Sequence, residues 1–181
     1  AEATLRTNFL APLWTTTAAI PHLLRAGGGT IVNVSSFASL VVPPREGVYA
    51  ASKAALNAWS EGLAHDLAGS GIHVALVHPG PIDTEIWDKR QEPSGYTGKR
   101  WPARDVAGAI VRAIERGERE VVVPRRNPGL VAARWLGWFA PSLLRRALRR
   151  LDPVPPGVFD AARAGSLAGV DPNGEAVECG S

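Results

Sequence analysis

Three short runs in this chain, residues 30–35, 72–77 and 121–123, are apolar and rich in β-branched side chains, without the polar alternation of a half-exposed strand. A strand that is apolar on both sides must be covered on both sides, and that is the condition of a parallel sheet flanked by helices. The segments between the runs agree. Residues 4–25 place Leu5, Phe9, Leu13, Trp14, Thr17, Ile20 and Leu24 close to helical spacing, and Gly27-Gly28-Gly29 ends that helix. Residues 48–67 are Ala-rich with Leu56, Trp59, Leu63 and Leu67 on one side, and Gly69-Ser70-Gly71 breaks them. Residues 102–116 form a third helix with Pro102 near its start, where a missing N–H costs nothing. The order helix, strand, helix, strand, helix, strand predicts an α/β fold, a parallel sheet with helices on both faces. Three strands are few for such a sheet, and the first helix has no strand before it. The chain therefore reads as the second half of a larger sheet, with a small three-stranded domain as the simpler alternative.

At 181 residues the chain can build one domain with a real core. A content of 45% hydrophobic and 20% charged residues is ordinary for a globular protein. Cys179 is the only cysteine, so no internal disulfide is available. No signal peptide is visible and no run approaches the roughly 18 apolar residues of a membrane span. The expected location is cytoplasmic. There is no Met, and Ala1-Glu2-Ala3-Thr4 has the character of mid-helix, which also predicts a piece of a longer protein.

Chemistry concentrates between the first strand and the second helix. Tyr49 and Lys53 are four residues apart at a helix start and project from one face. A phenol, with a pKa near 10, exchanges protons poorly at neutral pH. An adjacent ammonium favours the phenolate and lowers that pKa, so the pair can pass a proton to or from an alcohol or carbonyl oxygen. Ser36 lies thirteen positions ahead of Tyr49, at a strand end, where its hydroxyl could hold the same oxygen. A Tyr-x-x-x-Lys spacing alone occurs by chance in many chains. The strand, the Ser, the spacing and the helix start together do not.

With Ser36 and Tyr49-Ala-Ala-Ser-Lys53 in place, the sequence resembles the short-chain dehydrogenase/reductase family. Thr7-Asn8-Phe9-Leu10 is similar to the family's Asn-containing helix, which implies Asn8 as a fourth catalytic residue supporting a proton relay from the Lys. His78-Pro79-Gly80-Pro81-Ile82-Asp83-Thr84 resembles the family's turn after its sixth strand. The resemblance covers residues 4 to about 124 and implies a Rossmann-like, doubly wound parallel sheet. It also implies that Pro79, Gly80, the Ile82 backbone and the Thr84 hydroxyl hold the nicotinamide, with Tyr49 and Lys53 also at the cofactor. It implies hydride transfer between NADP or NAD, with NADP slightly preferred, and a secondary alcohol or ketone. It also implies a homodimer or homotetramer built on the Asn8 and Tyr49 helices, where Ala51, Ala55, Ala58 and Gly62 would allow close packing. The loop from 84 to 101, with Ile86, Trp87, Tyr96 and Trp101, would cap a partly apolar substrate.

The family's Thr-Gly-x-x-x-Gly-x-Gly turn is missing. Gly27-Gly28-Gly29 follows a helix and precedes a strand, the reverse of what phosphate binding needs. A chain of these residues alone is expected to bind dinucleotide weakly and to be inactive. The expected organisation is thus 1–124 as the later part of a catalytic domain, 125–152 as a basic helical extension and 153–181 as a flexible tail. Residues 121–151 hold seven arginines and no Asp or Glu, accompanied by Trp135, Trp138 and several Leu. Residues 128–150 read either as a helix pair packed over the pocket or a partner subunit, or as a surface element on an anionic membrane, peripheral at the inner face. No recognition motif supports nucleic acid. A serine hydrolase would need Gly-x-Ser-x-Gly, which is absent, and one Cys with scattered His makes no metal site. The rival of a different class is a non-catalytic binding or scaffold protein that keeps only the fold.

Overall fold

The computed structural model describes residues 1–85 and 98–151. Three parallel strands, β1 (Gly29–Val34), β2 (Ile72–Pro79) and β5 (Glu120–Val123), form one sheet in the order β1-β2-β5. Gly29 pairs with Ile72 through Val34 with Val77, and Leu76 pairs with Glu120 through Pro79 with Val123. Two very short strands, β3 (Ile82–Asp83) and β4 (Trp101–Pro102), pair parallel beyond the end of β2. Neither is foreshadowed in the residue pattern, because two residues are too short for any periodicity.

The helices are α1 (Glu2–Leu5), α2 (Ala11–Arg25), α3 (Gly47–Asp66), α4 (Ala103–Arg116), α5 (Pro128–Phe139) and α6 (Pro141–Leu151). Strand pleating divides the core in two. Ile31, Ile72 and Val74 face α2 and α3, meeting Ile20, Leu23, Leu63, Ala64 and Leu67. Val32, Ala75, Val77, Val121 and Val123 face the other way, onto Val106, Ala109, Ile110 and Ala113 of α4. Both faces are therefore covered, as unalternated apolar strands require. Val77 is fully buried, and a side chain of that kind contributes about 1.5–3 kcal/mol.

The two crossovers differ in hand. Steps β1 to β2 and β2 to β5 run the same way across the sheet, yet α3 and α4 lie on opposite faces. One of the two is thus left-handed, against a strong general preference for right-handed connections.

The first helical run of the sequence is not one uniform helix. Residues Arg6–Leu10 form a π-helical turn between α1 and α2, with the Ala11 N–H bonded to the Arg6 carbonyl. Trp14 and Leu24, read from spacing as part of the apolar face, are 55% and 48% exposed. The inward stripe of α2 runs through Leu13, Thr16, Ile20 and Leu23, so Trp14 and Leu24 sit one position, about 100°, away from it. At the other end of the chain Asn127 caps α5, its side chain accepting from Leu130 N–H at 2.9 Å. Leu130 is buried, and Arg134 lies 3.8 Å from Glu120.

Candidate active site

The carboxyl ends of parallel strands are where open α/β sheets bind ligands. Here Ser36 follows β1, and Pro79-Gly80-Pro81 closes β2 at the same edge. The two adjacent serines are sorted by their partners. Ser35 is buried, donating to Asn57 Oδ1 at 2.5 Å, while Asn57 Nδ2 donates to Ser39 Oγ at 2.9 Å. This knot ties the end of β1 to α3. Ser36 is half-buried and in extended conformation; among the described residues its Oγ accepts only the Ala38 N–H, at 3.1 Å, so its proton remains for a ligand oxygen. Sequence spacing alone selected Ser36, and the hydrogen bonds explain why its neighbour has another task.

Tyr49 lies half-buried in the first turn of α3, one turn ahead of Lys53. The Lys53 ammonium donates to the Val34 carbonyl at 3.0 Å, which pins it to the last residue of β1. Burial lowers the Lys53 pKa from its usual 10.5, because leaving water disfavours the charged form. Val34 belongs to the edge of β1 that has no strand partner among the described residues.

Asn8 sits inside the π-helical turn and reaches α3, donating from Nδ2 to Ser52 Oγ at 3.1 Å. Ser52 is completely buried and donates in turn to the Tyr49 carbonyl at 2.7 Å. Asn8 thus contacts the stretch of helix between Tyr49 and Lys53 rather than either side chain. Sequence reasoning passed over Ser52 and Asn57 as spacers. A small hydroxyl or amide recurring on the inner side of an Ala-rich helix is the signal that would have found them, since buried polar groups demand partners.

The turn after β2 is equally tight. Gly80 N–H donates to the Val123 carbonyl at 2.8 Å. A Cβ on Gly80 would approach Phe37 Cε2 to 3.1 Å and the Val123 oxygen to 3.3 Å, so only glycine fits without adjustment. Trp101 N–H donates to the Pro81 carbonyl at 2.9 Å, drawing β4 beside β3 and fixing Ile82. Thr84 is exposed just beyond. The turn therefore offers a ligand at this end of β2 a close-packed glycine, a fixed backbone and the exposed Thr84 hydroxyl. Ile86, Trp87 and Tyr96 of the expected substrate cap lie outside the described residues, whereas Trp101 is half-buried in β4. No group of three or more metal-type ligands occurs among the described residues.

His78, read from sequence as structural, is 1% exposed at the end of β2. Its Nε2 lies 3.4 Å from Glu120 Oε1, and its Nδ1 lies 3.5 Å from Ser39 Oγ. Desolvation lowers its pKa from the usual 6.5, against the opposing pulls of Glu120 and a hydrogen bond to the Ser36 backbone; Arg134 reinforces the lowering. The unfolded chain therefore takes up a proton at a higher pH than the native state does, and stability falls as pH drops from about 6.5 toward the folded value. His78→Gln is expected to flatten this part of the dependence of Tm on pH. An unchanged slope between pH 7 and 5 would assign the acid sensitivity elsewhere.

The chain resembles known proteins over most of its length. Residues 1–95 match the family model described as short chain dehydrogenase. A ketoacyl reductase (HetN) of a Nostoc species is 33% identical over 129 residues, covering 70% of this chain and 44% of that protein. The 3-ketodihydrosphingosine reductase of Bacteroides thetaiotaomicron is 34% identical over 122 residues, covering 67% of this chain and 45% of its own length. The chain thus spans less than half the length of these curated relatives. Among solved structures, a short chain dehydrogenase from Burkholderia cenocepacia in complex with NADP superimposes with a TM-score of 0.64 at 30% identity, over 85% of this chain and 59% of that one. A short-chain dehydrogenase from Sphingobium yanoikuyae in complex with NADPH gives 0.59 at 25% identity, over 83% and 55%. The matched residues run through Asn8, Ser36, Tyr49, Lys53 and the turn after β2, and the chain belongs to the short-chain dehydrogenase family.

Proposed function

We propose that this chain carries the proton-transfer half of an oxidoreductase that interconverts a secondary alcohol and a ketone with a nicotinamide cofactor. The observation that carries the reading is the Lys53 ammonium, desolvated and anchored to the Val34 carbonyl one turn from Tyr49, with Ser36 on the same strand end. Nicotinamide, when bound, supplies or accepts the hydride. The chain's own residues do the rest. Ser36 donates its free proton in a hydrogen bond to the substrate oxygen and holds it in place. Tyr49 gives that oxygen a proton during reduction and takes it back during oxidation. Lys53, one helical turn from Tyr49, binds the ribose next to nicotinamide. Asn8, through Ser52, keeps the first turns of α3 in position. Pro79, Gly80, the Ile82 backbone and Thr84 hold the carboxamide.

NADP is preferred over NAD, because the Burkholderia and Sphingobium enzymes are complexes with NADP or NADPH. A ketone of partly apolar character suits Trp101 at the edge of the site and agrees with two relatives named as keto reductases. Assembly as a homodimer or homotetramer is supported by Ala51, Ala58 and Gly62, which are exposed along α3 and leave room for a second helix. The sequence contains no glycine-rich strand-to-helix turn for the pyrophosphate. These residues alone therefore grip the cofactor by one end, and their turnover alone is expected to be negligible.

The test joins a family dinucleotide-binding half ahead of Ala1 and follows NADPH and NADH oxidation with a panel of ketones. Lys53→Met is expected to weaken NADPH binding and lower kcat, because it removes the ammonium held at the Val34 carbonyl together with its contact to the ribose. A folded variant with unchanged NADPH affinity and rate would remove Lys53 from the site.

A further inference from the structure

We propose that the α5–α6 hairpin docks on an anionic lipid surface, with an aromatic stripe on α5 entering the interface and the α6 arginines meeting the headgroups. Helix α5 turns Leu130, Ala133 and Leu136 inward and leaves Val131, Trp135, Trp138 and Phe139 on its outer side. Those four are 56%, 62%, 84% and 76% exposed. Water contact on so much adjacent apolar surface is unfavourable, and such a stripe marks an interaction site. Trp135 and Phe139 stack at 5.3 Å between ring centroids, so part of the stripe is already ordered.

Helix α6 is split cleanly. At 100° per residue Leu143, Leu144, Ala147 and Leu148 share one arc, and Arg145, Arg146, Arg149 and Arg150 share the opposite one. Leu144 packs near Gly137, where a Cβ would sit 3.5 Å from Leu144 Cδ2, so the two helices are in contact. The four guanidinium groups line one shallow groove with Ser142. None of the four forms an ion pair with a carboxylate among the described residues, whereas Arg125 and Arg134 do.

Charge decides the occupant. Residues 121–151 carry seven arginines and no acid, while the whole chain is only +3, so the remainder is net negative. A second copy docked face to face on the hairpin would bring four more arginines against these four, and a neutral apolar partner would leave them unused. An anionic bilayer uses both features. Trp and Phe favour the interface, and Arg reaches phosphate while its stem stays apolar. Trp138 and Phe139 end α5 just before Ala140 and Pro141, at the corner where the hairpin turns. No helix among the described residues is long and apolar enough to cross a membrane, which fits a surface contact.

The test is co-sedimentation of the full chain with vesicles of phosphatidylcholine carrying about a third phosphatidylglycerol, against phosphatidylcholine alone. Binding to the anionic vesicles is expected, weakened at high salt and accompanied by quenching of Trp fluorescence by brominated lipid. At about 1 kcal/mol per cation, Arg145→Gln with Arg149→Gln should weaken partitioning roughly 20- to 30-fold. Trp138→Ser with Phe139→Ser should weaken it at least about tenfold through lost apolar burial. Both pairs are exposed, and circular dichroism checks that the variants stay folded. Absence of anionic-vesicle binding by the folded chain overturns the proposal, as does binding that neither pair alters. So does a concentration-dependent dimer abolished by Trp138→Ser, or capture of single-stranded oligonucleotide, when vesicles are not bound.

Discussion

Tyr49→Phe is expected to lower ketone reduction by about 10²–10⁴-fold, the range a positioned acid or base contributes. The measurement is kcat with NADPH in a protein that supplies both halves of the nucleotide site. Phenylalanine keeps the ring and removes only the hydroxyl. Tyr49 is half-buried, and no hydrogen bond of its hydroxyl to another described residue is seen, so stability should change little. Cofactor affinity should hold as well, since Lys53 keeps its anchor on the Val34 carbonyl. The expected signature is therefore a fall in kcat with NADPH binding and Tm preserved. A binding or scaffold protein that merely keeps the fold predicts equal rates for both forms, and equal rates would eliminate Tyr49 as the proton donor.

Much of this site was legible in the sequence because its parts are local. Tyr49 and Lys53 are separated by one helical turn, and Ser36 by one strand end and a loop, so short-range spacing is enough to join them. The strands were legible for a different reason. Burial on two faces, seen in the split between Ile31 with Val74 and Ala75 with Val77, forces unalternated apolar runs. What stayed hidden depends on contacts between distant segments. The π-helical turn at Arg6–Leu10 has no propensity signature, and is recognised only once Asn8 meets Ser52, 44 residues away. The opposite hands of the two crossovers are likewise a property of the packed sheet. Nor could sequence show that Ser35, Asn57 and Ser39 form a closed polar knot, because each alone is an ordinary surface residue type.

The three-glycine turn, excluded from the sequence alone as a phosphate loop, has a structural task that predicts the largest loss of stability. Gly28 has φ +132°, and a Cβ there would lie 2.4 Å from the Gly71 carbonyl oxygen, a backbone atom that cannot swing aside. Gly71 itself has φ +81°, and its own Cβ would meet the Gly27 oxygen at 2.9 Å. The turns after α2 and α3 therefore touch backbone to backbone. Their contact is sealed by Gly29 N–H donating to the Gly71 carbonyl at 3.1 Å, which starts β1 and β2 in register at Gly29 and Ile72. Gly28→Ala adds a backbone clash to a conformation alanine rarely adopts, for a combined cost of about 2–5 kcal/mol. Against a typical total of about 5–15 kcal/mol, that is a large fraction. At roughly 2–4 °C per kcal/mol for a domain of this size, Tm should fall by about 5–20 °C. Gly27→Ala is the control: φ there is +83°, but nothing lies within 4 Å of its Cβ, so only the conformational strain of about 1–3 kcal/mol remains. A clearly larger drop for Gly28→Ala than for Gly27→Ala, read by thermal unfolding, would show that the two turns are held by their close approach. Equal drops would mean that backbone conformation alone demands glycine here, and that the first strand pair takes its register from the apolar faces of β1 and β2 instead.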